Sequence, residues 1–290
     1  MRDDQHRMIL ETRAHRPGAV ADAAARRQRR PWLGDSGRLM IIAADHTARG
    51  ILGAGQRPMA MASRVDLLDR ILTALGRPGV DGVLGTADVI EDLLLLGALA
   101  GKLAIGSMNR GGLPGAAFEI DDRFTGYRAA AIAASGLDAG KMLLRIDVRD
   151  PATAGTLAAC ADAVSELAAR QTIAMIEPFM VRRDGPHARN DLTPDAVIRS
   201  MAIASGLGAT SAYTWLKIPV VAEMERVADA STLPTMLLGG DTSDRPDEMF
   251  ARWQKALQLP NMRGLVVGRN LLFPPGDDVA AAVDVAVSLL

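Results

Sequence analysis

The chain has 290 residues, of which 49% are hydrophobic and 23% charged, with 33 basic against 34 acidic side chains and a formal net charge of −1. That length suits one large α/β barrel or two ordinary domains, and nothing in the charge balance suggests a nucleic-acid or membrane-surface partner. Aromatic residues are only 3%, which argues against a β-sandwich and against a base-stacking platform.

Residues 1–30 are polar, carry eight arginines and lack the apolar stretch of a signal peptide. They read as a short helical extension, with Arg26-Arg27-Gln28-Arg29-Arg30 as the solvated end of a helix; an anionic contact is the alternative. No later run approaches the ~20 apolar residues of a membrane span. The single cysteine, Cys160, lies in an Ala-rich helical stretch. An intrachain disulfide and a cysteine-based metal site are thereby excluded, a reducing cytoplasm is the expected setting, and Cys160 is expected to be a buried apolar thiol rather than a nucleophile.

From residue 31 to 290 short apolar runs alternate with stretches of helical length. The predicted strands are 39–46, 81–86, 103–109, 140–147, 172–180, 212–220, 234–240 and 264–270. The predicted helices lie near 59–76, 87–100, 122–136, 151–170, 194–208, 222–231, 245–258 and 277–289. Asp150-Pro151, Thr193-Pro194 and Asp244 before Arg245-Pro246 are helix-start signals. Eight strand–helix units in one domain predict a (β/α)8 TIM barrel. A doubly wound sheet would carry an early G-x-G-x-x-G, which does not follow the first strand. The longest insert, Arg110–Gly115, follows the third strand; a mobile loop over the substrate and a plain connection are both open readings.

Strand periodicity places charged residues inside the barrel. On the fourth strand Lys141, Leu143, Arg145 and Asp147 share a face opposite Met142, Leu144 and Ile146. On the sixth, Tyr213, Trp215, Lys217 and Pro219 share one; on the fifth, Glu177 lies with Ile173, Met175 and Phe179. Asp45-His46 ends the first strand and Arg269 the eighth, at the end where barrel enzymes keep their active sites. Buried charges are costly unless paired or used. A lysine among cations and apolar surface loses its proton readily and can attack a carbonyl to form a Schiff base. A carboxylate or tyrosine must then move protons. Lys217, Lys141, Glu177, Asp45 and Tyr213 are candidates for these roles, with Arg145 a candidate substrate contact. The competing readings are ion pairing for Lys217 and for Lys141 (with Glu177 or Asp45), a strand-end cap for Asp147, and for His46 either donation to substrate or orientation of Asp45.

Barrels often bind phosphate with the loops after strands seven and eight. Gly239-Gly240 with Ser243, and Gly268-Arg269, occupy those places and offer backbone N–H groups and a guanidinium. Asp241 is an unfavourable neighbour for phosphate. The four histidines, His6, His15, His46 and His187, show no metal-ligand spacing, so no metal or cofactor is expected; Mg²⁺ held by Asp45 and Glu177 is the alternative.

The segments Ala43–Gly50 (AADHTARG), Lys141–Asp147 (KMLLRID), Ile176–Phe179 (IEPF), Trp215–Val220 (WLKIPV) and Val266–Leu272 (VVGRNLL) resemble the class I aldolase superfamily. That superfamily includes archaeal-type fructose-bisphosphate aldolases, deoxyribose-phosphate aldolase and class I tagatose-bisphosphate aldolase. The resemblance implies Lys217 as the Schiff-base residue, Asp45 as a contact to substrate hydroxyls, Lys141 and Glu177 as the second lysine and proton-transfer glutamate of the tagatose-type branch, and Gly268-Arg269 as a phosphate site. The family's Asp-His-Gly is Asp-His-Thr here, with Gly50 displaced. The chain is most similar to an actinobacterial-looking set of barrels associated with myo-inositol breakdown, which implies cleavage of 5-dehydro-2-deoxyphosphogluconate to dihydroxyacetone phosphate and malonate semialdehyde. The expected ligand is a phosphorylated sugar or keto acid, and the expected assembly a homo-oligomer without nucleic-acid or membrane partners. Acyl transfer on the same lysine, a non-catalytic sugar-phosphate-binding barrel, and a Mg²⁺-dependent lyase or isomerase are the alternatives.

Overall fold

The computed structural model describes residues 2–109, 112–185, 187–240 and 245–290. Its strands are β1 (Leu39–Ala44), β2 (Gly82–Gly85), β3 (Leu103–Ser107), β4 (Ala139–Ile146), β5 (Ile173–Asp184), β6 (His187–Asn190), β7 (Thr214–Pro219), β8 (Thr235–Leu238) and β9 (Met262–Val267). All but β6 pair in parallel in the circular order β1-β2-β3-β4-β5-β7-β8-β9, with β9 returning to β1. This is a closed TIM barrel in a single domain. β6 is an antiparallel strand on the far end of β5, a hairpin that the sequence did not announce.

The helices are α1 (Asp3–His15), α2 (Ala19–Arg26), α3 (Arg64–Leu75), α4 (Ala87–Leu95), α5 (Ala129–Ala134), α6 (Ala152–Ala168), α7 (Pro194–Ser205), α8 (Met224–Ala228), α9 (Pro246–Leu257), α10 (Arg269–Leu272) and α11 (Val279–Ser288). Thr193 caps α7 by accepting from Ala196 N, and Asp150 accepts from Ala152 N at the start of α6, as their positions predict. Asp244 lies outside the described residues.

Period-two alternation divides the apolar side chains into two sets. Leu39, Ile41, Leu103, Ile105, Met175, Trp215, Met236 and Val266 fill the barrel. Met40, Ile42, Met142, Leu144, Ile176, Leu216, Ile218 and Val267 face the helices. The eighth barrel strand starts earlier than predicted and ends at Val267, because the chain turns into α10 there; Arg269 therefore opens a helix rather than closing a strand. Likewise Asp45 and His46 lie just beyond β1, leading into a 3-10 turn over Thr47–Arg49. β9 is irregular where it meets β8, and Gly264 sits at this point with φ +131°. A Cβ there would lie 1.9 Å from Leu39 O, so only glycine lets β9 close onto β1.

The arginine-rich segment corrects the expectation of a solvated helix end. α2 stops at Arg26, and the following arginines fasten the N-terminal arm to the opposite, N-terminal mouth of the barrel. The Arg27 side chain, 2% exposed, donates to Lys102 O at 2.6 Å, Gly136 O at 2.5 Å and Asp138 Oδ2 at 3.0 Å. Arg29 also pairs with Asp138, and Arg30 with Asp81. Both aspartates accept from strand N–H groups as well: Asp138 from Ala104 N at 2.9 Å, Asp81 from Met40 N at 2.7 Å. The chain then crosses the mouth, where Trp32 packs edge-on against Trp215 with ring centroids 5.3 Å apart. Arg38 donates to Leu257 O and Leu290 O, tying the arm to the last helices. Among the described residues no helix is long and apolar enough to cross a membrane.

Candidate active site

The C-terminal mouth of the barrel opens into a cleft of ≈ 480 Å³. Inward positions of four strands meet beneath it. β3 contributes Ser107, β4 Lys141, β5 Glu177 and β7 Lys217; Asp45 follows β1. Glu177 Oε1 lies 2.9 Å from Lys217 Nζ, and its Oε2 meets Lys141 Nζ. Lys141 Nζ is also 3.2 Å from Asp45 Oδ2, which accepts from Ser107 Oγ at the same distance. Two ammonium and two carboxylate groups thus interlock, which is how buried charge is tolerated. Their accessibility differs: Lys141 is 0% exposed and sealed beneath the floor, whereas Lys217, 4% exposed, lines the cleft. Ser107 was missed by the sequence reading, although it shares the inward parity of Leu103 and Ile105.

His46, Gly239, Gly240, Gly268 and Arg269 also line the cleft, on the side of β1, β8 and β9. Gly268 packs so closely that a Cβ would lie 2.3 Å from Ala43 O and 2.8 Å from His46 Cε1. Asn270 Nδ2 fixes the preceding loop by donating to Gly239 O at 2.8 Å. Burial first, then the neighbouring Arg269 and Lys217 cations, lower the His46 pKa to about 3. Its ring is neutral at physiological pH, and Nδ1 has no hydrogen-bond partner among the described residues. Ser243 and Asp241 lie outside the described residues.

Arg145 lines the cleft, but its guanidinium is engaged: NH1 donates to Glu119 Oε1 at 2.7 Å and NH2 to Glu119 O at 2.6 Å. Burial opposes the charge on Glu119, yet Arg145 and the Gly115 N–H hold its pKa below the ordinary value. Arg49 likewise meets buried Asp122 at 2.7 Å. Burial, then Arg145, lowers the Arg49 pKa. These two ion pairs fasten the segment after β3 across the cleft, where Pro114 contributes to the lining. Arg110 and Gly111 lie outside the described residues. Glu119, Asp122 and Arg49 were not foreseen, because their contacts join segments distant in sequence.

Two predicted residues are not brought to the cleft. Tyr213 precedes β7, at the other end of the strand from Pro219, and is absent from the lining. Asp147 anchors the chain after β4, accepting from Arg149 N at 3.0 Å and Arg183 Nε at 2.6 Å. Cys160 is buried in α6, and burial pushes its thiol up to about 12. Among the described residues no three His, Cys, Asp or Glu side chains gather as metal ligands.

Residues 37–287 match the Cgl0159-like family. The chain belongs to that family. Its fold superposes on the crystal structure of Cgl0159 from Corynebacterium glutamicum with a TM-score of 0.98 at 52% identity, covering 100% of this chain and 97% of that one. No curated protein matches the chain. At the level of fold it resembles an archaeal fructose-1,6-bisphosphate aldolase (TM-score 0.66, 15% identity, 93% of this chain and 98% of that one). It also resembles a fructose-1,6-bisphosphate aldolase described as Schiff-base-forming (TM-score 0.64, 16% identity, 93% and 99%).

Proposed function

We propose that this chain is a class I aldolase that cleaves or forms a carbon–carbon bond of a phosphorylated ketose or keto acid through an imine on Lys217. The observation that carries the reading is the difference between the two lysines: Lys217 opens onto the cleft beside Glu177, while Lys141 is sealed below, held by Glu177 and Asp45. The aldolase fold of the structural neighbours supports it.

The Lys217 ammonium passes a proton to Glu177, 2.9 Å away, and the free amine adds to the ketone carbon while Glu177 protonates the resulting alkoxide. The carbinolamine nitrogen then gives its extra proton to Glu177, which returns it to the hydroxyl; this leaves as water and gives an iminium. A carboxylate, Asp45 or Glu177, takes the proton of the hydroxyl one carbon beyond the bond to be broken. The bond electrons pass into the iminium to give an enamine, and the far fragment departs as an aldehyde. Protonation and hydrolysis of the enamine release the ketone and regenerate the amine. Lys141 holds Glu177 in place. The backbone N–H groups around Gly239-Gly240 and Gly268, with Arg269, bind the phosphate beside the ketone. The specific substrate we propose is 5-dehydro-2-deoxyphosphogluconate, giving dihydroxyacetone phosphate and malonate semialdehyde.

The test is sodium borohydride trapping with dihydroxyacetone phosphate in the presence of EDTA, read by intact mass and peptide mapping. A ligand-dependent adduct on the Lys217 peptide, lost in Lys217→Met, is expected. Binding without an adduct on either lysine would overturn the reading.

A further inference from the structure

β5 does not end at the barrel rim. Residues 181–184 continue past it and pair with β6, which places Arg182 directly opposite Arg189. Like charges facing each other across an antiparallel ladder are destabilising unless something lies between them. Both arginines line the cleft. Arg189 is met by Asp184 at 2.7 Å, at the exposed surface. Arg183 is taken up by Asp147 and Asp150. Arg182 makes no ion pair and no side-chain hydrogen bond with the described residues. Asn190 pairs with Val181, so its side chain leaves the face of the ladder opposite to that of Arg182 and Arg189.

Two further arginines of the cleft lining are engaged, Arg145 by Glu119 and Arg49 by Asp122. The hairpin therefore brings a guanidinium with unused hydrogen-bonding capacity to the rim above β5, while the glycine-rich loops stand after β8 and β9. Lys217 lies on β7, between β5 and β8 in the circular order.

We propose that Arg182, with Arg189, binds an acidic group, phosphate or carboxylate, at the end of the substrate remote from the phosphate held by Gly239-Gly240 and Gly268-Arg269. The inference rests on the aldolase reading and deepens it: the substrate is anionic at both ends, and the hairpin selects for the second charge. The guanidinium fork suits either acid.

The experiment is calorimetric titration of the intact protein and its Arg182→Gln variant with three ligands. Fructose 1-phosphate has no remote acid, fructose 1,6-bisphosphate has a remote phosphate, and 5-dehydro-2-deoxygluconate 6-phosphate has a remote carboxylate. The wild type is expected to prefer the doubly anionic ligands. Arg182→Gln is expected to weaken one or both of these by about tenfold or more, while fructose 1-phosphate changes by less than about twofold. Arg182→Lys is expected to restore part of the loss. The ligand that loses affinity identifies the acid. Equal binding of all three ligands to the wild type, or an equal change for all three in Arg182→Gln, would overturn the subsite. Borohydride trapping with dihydroxyacetone phosphate, run on both proteins, separates the two readings. Trapping with unchanged selectivity removes the hairpin subsite alone. Loss of remote-acid selectivity without trapping in the wild type removes the imine mechanism and keeps the subsite.

Discussion

Glu177 bridges two lysines, with Lys217 Nζ 2.9 Å from Oε1 and Lys141 Nζ against Oε2. One carboxylate thus holds the amine that opens to the cleft and the amine that is sealed from it. Glu177→Gln keeps the shape and removes the base. The rate of borohydride-trappable imine formation with dihydroxyacetone phosphate is expected to fall by about 10²-fold or more, the range for loss of a positioned general base. A rate within a few-fold of wild type would remove Glu177 from the proton path.

His46 gives a pH signature in stability. Its pKa is lowered from the ordinary histidine value of 6.5 to about 3 in the folded protein, by burial and then by Arg269 and Lys217. Between those values the unfolded chain binds more protons, so this residue's contribution is present above pH 6.5 and is lost as pH falls towards 3. Each pH unit in that window removes at most ~1.4 kcal/mol. Urea unfolding of His46→Gln between pH 7 and 4 should show a shallower acid decline than wild type. Parallel curves would refute the assignment.

The clasp at the opposite mouth is a separate matter of stability. Asp138→Asn leaves the Arg27 guanidinium, 2% exposed, without its carboxylate, and removing one partner of a buried pair costs roughly 3–5 kcal/mol. The expected result is a clearly lower urea midpoint. Arg123→Gln, which breaks the exposed pair with Asp121, should leave the midpoint unchanged.

Gly264→Ala drives a methyl group into Leu39 O at the β1–β9 junction. A loss of more than about 3 kcal/mol, or failure to accumulate as soluble protein, is expected. A variant with wild-type unfolding would show that the junction relaxes.

Cys160 reports unfolding. With its thiol raised to about 12 by burial, a thiol reagent at pH 8 should not label the native protein, and labelling should follow the urea transition. Rapid labelling in buffer would show that α6 opens locally.

The eight strand–helix units and the inward parity of Lys141, Glu177 and Lys217 were legible because alternation along one strand is a local property. The positions of Asp45 and Gly268-Arg269 followed from where strands end. Contacts between segments far apart in sequence were not legible: the Arg145–Glu119 and Arg49–Asp122 pairs join elements whose approach is set by the closed barrel. Tyr213 shares the parity of Lys217 but sits at the wrong end of the strand, since periodicity fixes a face and not a height. The β5–β6 hairpin was hidden because residues 181–190 are mostly polar and read as a loop.

Trp32 lies early in the chain, and the ring it packs against, Trp215, belongs to a strand near the end. Arg38 reaches further still, to the carbonyls of Leu257 and Leu290. Arg27, Arg29 and Arg30 find their partners within residues 81–138, but the seats of Trp32 and Arg38 exist only once the final strands and helices do. Contacts of such long sequence separation form slowly. Closure of the ring and seating of residues 32–38 are therefore coupled, and this short stretch is a latch that sets only on a finished barrel.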